Sequence, residues 1–259
     1  MSDNNFNWEN SKQLSVIKVI LAFAIPSAVA FTGFRIILPI IYEQGIPAII
    51  AWPAIASGML LLVLIVAIIL LRREAKELNI SFKERICLKK LTASQWGIYL
   101  GVLALGLAIT MGMSNLSIYM TEIPGLSVPD YFPFFLNPAI DPMKTDPSIL
   151  SPDFILKGEY WLFPLLFLTL FLNILTEELY FRAWLLPKMS KLGKASWVIN
   201  GSLFACYHTF QFWLFPQLLP ISLFMAYVVY KSKSIWPAFA IHMVVNLMTL
   251  AGLITLIIV

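Results

Sequence analysis

Of the 259 residues, 59% are hydrophobic and 12% are charged, with a mean hydropathy of +0.82. A soluble domain carries about twice that charged fraction, so a soluble globular fold is excluded. The formal net charge of +4 belongs to basic residues in loops between apolar runs, which speaks for membrane topology and against a nucleic-acid partner.

In chain order, the polar start MSDNNFNWENSKQ has no basic region ahead of a short apolar core, so no removable signal peptide is expected. Apolar runs follow at 16–42, 46–71, 95–119, 160–187, 196–216, 218–230 and 235–258. Most approach or exceed the roughly 20 residues that cross a bilayer as helix, and they are too long and uniform for barrel strands. The expected fold is all-α: one integral domain over 1–259, a polytopic helical bundle of about seven spans, six to eight. The first run contains Lys18, Pro26 and Arg35 and is expected to kink. The sixth is short and bounded by Pro220, which suggests a tilted or partly re-entrant segment.

Two loops set the orientation. Residues 72–94 hold seven Lys/Arg and three Glu, whereas 120–158 hold two Lys and five Asp/Glu among many prolines. The first is expected in the cytoplasm and the second outside, with the N-terminus inside, in a multi-pass protein of the plasma membrane. The aromatics YFPFF at 131–135 could rest on the membrane surface or pack over the bundle. Cys87 in a basic loop and Cys206 in an apolar run are read as free thiols.

The fourth run ends in TEELYFRAW, where Glu177 and Glu178 are the only adjacent glutamates in the chain. Ionisable groups at membrane depth are costly and usually face a bundle interior. Glu178 and Arg182, four apart, could simply pair on one helix face, which leaves Glu177 without a partner. Both histidines also lie in apolar runs. Phe204 shares a helix face with His208, and His242 with Asn246. At 1.5 Å per residue, Glu177 lies roughly 15 Å, His208 roughly 18 Å and His242 roughly 10 Å from the basic-loop ends of their runs, so the three can meet.

Such a group could activate water: Glu177 with His208 as general base, and His242 with Asn246 as hydrogen-bond donors to the oxyanion of an attacked amide. Glu178, Arg182 and Phe204 would support them. The chain has no H-E-x-x-H, no G-x-S-x-G and no G-x-G-D motif, which disfavours the zinc-helix, serine and aspartyl routes. Glu with two His is nonetheless a partial zinc set. The expectation is a cofactor-free mechanism, with zinc as the alternative.

EELYFR (177–182), FACYH (204–208) and HMVVN (242–246) together resemble the CAAX protease and bacteriocin-processing family of intramembrane endopeptidases, also called the Abi family. The resemblance covers roughly residues 160–250, the expected catalytic core. It implies a helical bundle with a catalytic cavity open to the cytoplasmic side. By position, it maps the water-activating glutamate to Glu177, its partner to His208, and the oxyanion pair to His242 and Asn246. The implied substrate is a prenylated or membrane-embedded peptide in the lipid bilayer. Two other functions compete: a non-catalytic scaffold or bacteriocin-immunity protein of the same family, and a proton-coupled transporter. The transporter lacks a visible inverted repeat, and nothing in the sequence gives an oligomeric state.

Overall fold

A computed structural model describes residues 6–142 and 144–258; the start of the polar N-terminal stretch, 1–5, lies outside the described residues. The described residues form helices and loops, with six helices long and apolar enough to cross a membrane: Val16–Glu43, Ala48–Glu77, Ala93–Thr121, Leu162–Leu192, Thr209–Ser232 and Trp236–Ile258. The protein is an integral, multi-pass membrane protein. Many large apolar side chains, such as Ile17, Leu62, Ile98 and Met248, point outward, as a lipid-facing surface requires.

The principal α-helices are α1 (Val16–Thr32), α2 (Ala48–Glu77), α3 (Ala93–Gly112), α4 (Leu162–Glu177), α5 (Ala195–Tyr207), α6 (Phe215–Ser232) and α7 (Trp236–Ile258). Local signals explain several boundaries. Thr92 and Gln95 form a reciprocal capping box that starts α3. Lys233 takes a left-handed conformation (φ 57°) and stops α6 by donating its N–H to the Val229 carbonyl at 2.9 Å. Pro26 does not break α1. It has no N–H for the Ala22 carbonyl, and the Tyr180 hydroxyl donates to that carbonyl instead, at 2.9 Å. The irregularity comes later, as a π-helical turn over Gly33–Ile37.

Small polar groups hold α2 against α4 where the surroundings are apolar. Ser57 and Thr169 share a hydrogen bond of 2.8 Å, and Thr176 donates to the Leu60 carbonyl at 3.0 Å. At Gly201 of α5 the backbone of α6 comes so close that an added Cβ would lie 2.8 Å from Leu223 Cα.

The fifth expected run, 196–216, is not one helix. α5 ends at Tyr207, His208 caps it, and a 3₁₀ segment Thr209–Leu214 with a non-helical Gln211 (φ −132°, ψ 50°) leads into α6. The sixth run is correspondingly longer than expected, because α6 carries Pro220 within it.

The two ends of the bundle differ. At the basic end, the N-terminal segment lies over residues 187–191: Gln13 Nε2 donates to the Pro187 carbonyl, Leu14 N to the Lys188 carbonyl, and Lys191 N to Gln13 Oε1. Lys233 Nζ sits 3.7 Å from the Trp8 ring centroid at this same end. At the opposite end, Gly158 N donates to the Ile257 carbonyl at 2.8 Å. The loop aromatics there pack over the bundle. Phe132 meets Trp213 edge-on at 5.2 Å, Phe135 meets Trp52 at 5.6 Å, and Trp213 Nε1 donates to the Leu136 carbonyl at 2.8 Å.

Candidate active site

Glu177 is the last residue of α4, and Glu178 begins a π-helical segment that runs to Leu185. Pro187 helps explain the change of helix type. It has no N–H to return to the Ala183 carbonyl four residues earlier, and Arg85 Nη1 donates to that carbonyl at 2.6 Å. Asn200 of α5 donates to the Phe181 carbonyl at 3.0 Å. Side chains from elsewhere thus satisfy carbonyls that the widened turn leaves exposed, and such π turns are frequent at functional sites.

The π turn also removes the Glu178–Arg182 pairing that the spacing allows. Glu178 makes no ion pair with Arg182. It is fully buried, and its Oε1 lies 3.0 Å from His242 Nδ1. Arg182, also fully buried, stacks its guanidinium 3.8 Å above the Phe204 ring centroid, and its nitrogens have no hydrogen-bond partner among the described residues. The i,i+4 pairing assumed α-helical geometry that stops at Glu177.

Glu177 is 3% exposed. Its Oε1 accepts from Asn173 Nδ2 at 3.0 Å and lies 3.8 Å from His208 Nε2; its Oε2 lies 3.7 Å from His242 Nε2. His208 sits where α5 stops, and its Nδ1 faces the Phe204 carbonyl at 3.0 Å. A carbonyl only accepts, so Nδ1 carries the proton and a neutral His208 turns an Nε2 lone pair toward Glu177. The Phe204 ring meets the imidazole edge-on at 5.0 Å. Asn246 Nδ2 donates to the His242 carbonyl at 3.0 Å, which uses one of its two amide hydrogens.

The structure therefore brings Glu177, His208 and His242 to one point, with Glu178 behind His242 and Asn246 one helical turn beyond it. Glu177, His208, His242 and Asn246 all line a cavity of about 420 Å³. Its lining runs from this point toward Phe135, Leu136 and Pro138 in the loop at the acidic, proline-rich end. The family resemblance implied an opening at the basic end. Among the described residues the lining includes nothing from 72–94 or 186–194, and the N-terminal segment lies across that end.

Sequence reasoning missed two groups of residues. Glu74 accepts from Arg85 (2.9 and 2.5 Å), Trp184 Nε1 (3.1 Å) and Lys188 Nζ, bracing the end of the π segment. Gln211 lies in the cavity wall. The first group looked like loop charge, and the second sat in an unbroken apolar run. Cys87 and Cys206 are free, the one buried and the other exposed.

Residues 159–248 match the family model described as Type II CAAX prenyl endopeptidase Rce1-like. The match spans 90 of the 259 residues, and the likeness is that of this segment. The Rce1-like segment starts just before α4 and ends in α7, so it holds every member of the Glu177 cluster. A family of prenyl endopeptidases supports a protease acting on a membrane-associated substrate. No curated protein and no solved structure compared with the chain matches it.

Carboxylate and imidazole are donor types that zinc takes. Among the described residues, however, no group of three or more His, Cys, Asp or Glu side chains has the arrangement to hold a metal ion.

Proposed function

We infer that the protein is an intramembrane endopeptidase that hydrolyses a peptide bond of a CAAX-type prenylated or membrane-embedded peptide through a glutamate-activated water. The observation that carries this reading is one buried carboxylate held 3.7 and 3.8 Å from two imidazole nitrogens at the wall of a cavity.

In this reading a water lies between Glu177 and His208 Nε2. Glu177 takes its proton as the water oxygen attacks the scissile carbonyl carbon. His242, protonated at Nε2 and held through Nδ1–H by the Glu178 carboxylate, donates to the developing oxyanion, and the free Asn246 amide hydrogen donates to it as well. The tetrahedral intermediate collapses with cleavage of the C–N bond, and the proton on Glu177 passes to the leaving nitrogen. Arg182 offsets the charge of the two buried glutamates. Phe204 supports His208 from both its carbonyl and its ring. The charge asymmetry of the loops favours an N-terminus in the cytoplasm.

The test is cleavage of a quenched, farnesylated CAAX peptide by detergent-purified protein, beside an unprenylated apolar peptide of the same sequence. Glu177→Gln is expected to lower kcat by about 10²–10⁴-fold, and a chelator is expected to leave the wild type unchanged. Loss of activity with chelator would put a metal in the mechanism. Full activity of the Gln variant would refute the role of Glu177.

A further inference from the structure

The cavity wall holds polar groups that the hydrolytic step does not use. Gln211 is 7% exposed, lines the cavity, and its side-chain oxygen is buried with no hydrogen-bond partner. Trp52 of α2 lines the same cavity with its indole N–H likewise unpartnered. The hydroxyls of Thr110 and Ser222 do the same from α3 and α6. Most other lining residues are apolar, and a buried polar group without a partner costs about 1–3 kcal/mol. These atoms are sealed within the wall, and a side-chain rotation at the cavity surface would present them to a polar ligand.

Gln211 is also where the backbone departs from helix, three residues after His208, with its N–H donating to the His208 carbonyl at 3.0 Å. The break places a long amide side chain in the wall of the cavity that the Glu177 cluster also lines. A carboxamide offers an acceptor and a donor side by side, the complement of a peptide main-chain unit. The donor-only Trp52 indole suits a carbonyl oxygen.

We propose that Gln211, with Trp52, forms a main-chain subsite that holds the substrate peptide in extended form beside Glu177, Gln211 accepting one substrate N–H. The assignment rests on the endopeptidase reading for its substrate class. Such a subsite would read main-chain groups common to all peptides, while the apolar walls take the lipid or side chains. It also gives the helix break a purpose that the acid–base chemistry leaves unexplained.

The test uses full-length Glu177→Gln protein in detergent, a fluorescent farnesylated CAAX peptide, and its singly N-methylated analogues, with Kd read by anisotropy. Adding Gln211→Leu is expected to weaken binding of the parent peptide about tenfold. One N-methylated analogue is expected to lose the same factor in the Gln211 protein and nothing further in the Leu protein, the non-additivity of a direct contact. Gln211→Glu, which keeps an acceptor, is expected to preserve that coupling. Equal losses on N-methylation in both backgrounds, or unchanged binding on Gln211→Leu, would overturn the subsite. If Gln211→Leu fails to fold, the scan in the Gln211 protein still decides: uniform losses at every amide overturn the proposal. Coupling without any cleavage by the wild type would remove the hydrolase reading and leave the subsite standing. Cleavage without coupling would remove the subsite alone.

Discussion

Arg85 offers the sharpest test of how the two halves of the chain depend on each other. It is fully buried, donates twice to Glu74 Oε2 (2.9 and 2.5 Å), and reaches the Ala183 and Trp184 carbonyls at 2.6 and 3.3 Å. Breaking a buried ion pair from one side costs about 3–5 kcal/mol. Lys188 still neutralises Glu74 in an Arg85→Met variant, which moderates that figure. Against this, the Ala183 carbonyl loses a donor that Pro187 cannot replace, at about 1–3 kcal/mol. Arg85→Met should therefore destabilise the fold by about 3 kcal/mol. Arg85→Lys should cost nearly as much, because a single ammonium cannot span Glu74 and both carbonyls. The assay is reversible unfolding in mixed dodecyl maltoside and SDS micelles, followed by tryptophan fluorescence and circular dichroism. A cycle with Glu74→Gln should show coupling above about 1 kcal/mol. A loss below about 1 kcal/mol for Arg85→Met, with additive effects in the cycle, would refute the bracing of the π segment by this arginine.

Other expectations follow from particular contacts. Gly201→Leu forces a side chain against α6 backbone 2.8–3.0 Å away and should cost about 1–3 kcal/mol in the same unfolding assay. It should also lower peptide cleavage by displacing His208 on the same helix. Glu178→Gln keeps a hydrogen-bond acceptor for His242 but not the charge, so cleavage should fall about 10–100-fold, the usual cost of losing an outer partner, and less than in Glu177→Gln. Burial pushes the Cys87 thiol up from 9.0 to about 11. Maleimide at neutral pH should therefore add once, at exposed Cys206, as read by peptide mass spectrometry. Because the folded state holds the Cys87 proton more tightly, its contribution to stability is complete below pH 9 and is lost as pH rises toward 11. Cys87→Ala should flatten the alkaline loss of stability by up to about 1.4 kcal/mol per pH unit in that window. In cells, Lys144→Cys should react with a membrane-impermeant maleimide and Lys90→Cys should not; the reverse would invert the proposed orientation.

What could be read in the sequence was what depends on residue type and spacing along a regular helix. The rise per residue rightly put Glu177, His208 and His242 within reach of one another, and six of the seven apolar runs fall on the six spans, 196–216 being the exception. Legibility failed where the backbone leaves α geometry. The Glu178–Arg182 pairing assumed 3.6 residues per turn across a segment that is π-helical. The end of α5 at His208 was invisible because CYHTFQFWL has neither Gly nor Pro to mark it. Glu74 and Arg85 read as topogenic loop charges, since their buried partners lie about a hundred positions away. Whether YFPFF lay on the membrane or on the bundle was also undecidable from composition. It depended on Trp52 and Trp213 waiting at that end.

A π turn can be viewed as an α-helix into which one residue has been inserted. Removing one residue between Tyr180 and Leu185 would let the span run on as ordinary helix, with every later side chain rotated by about 100° relative to those before Glu177. Trp184 and Lys188 would then turn away from Glu74, and the 78–92 loop would lose its anchor. The length of the segment thus acts as a register key, so a single-codon deletion there should be more damaging than most substitutions at the same positions.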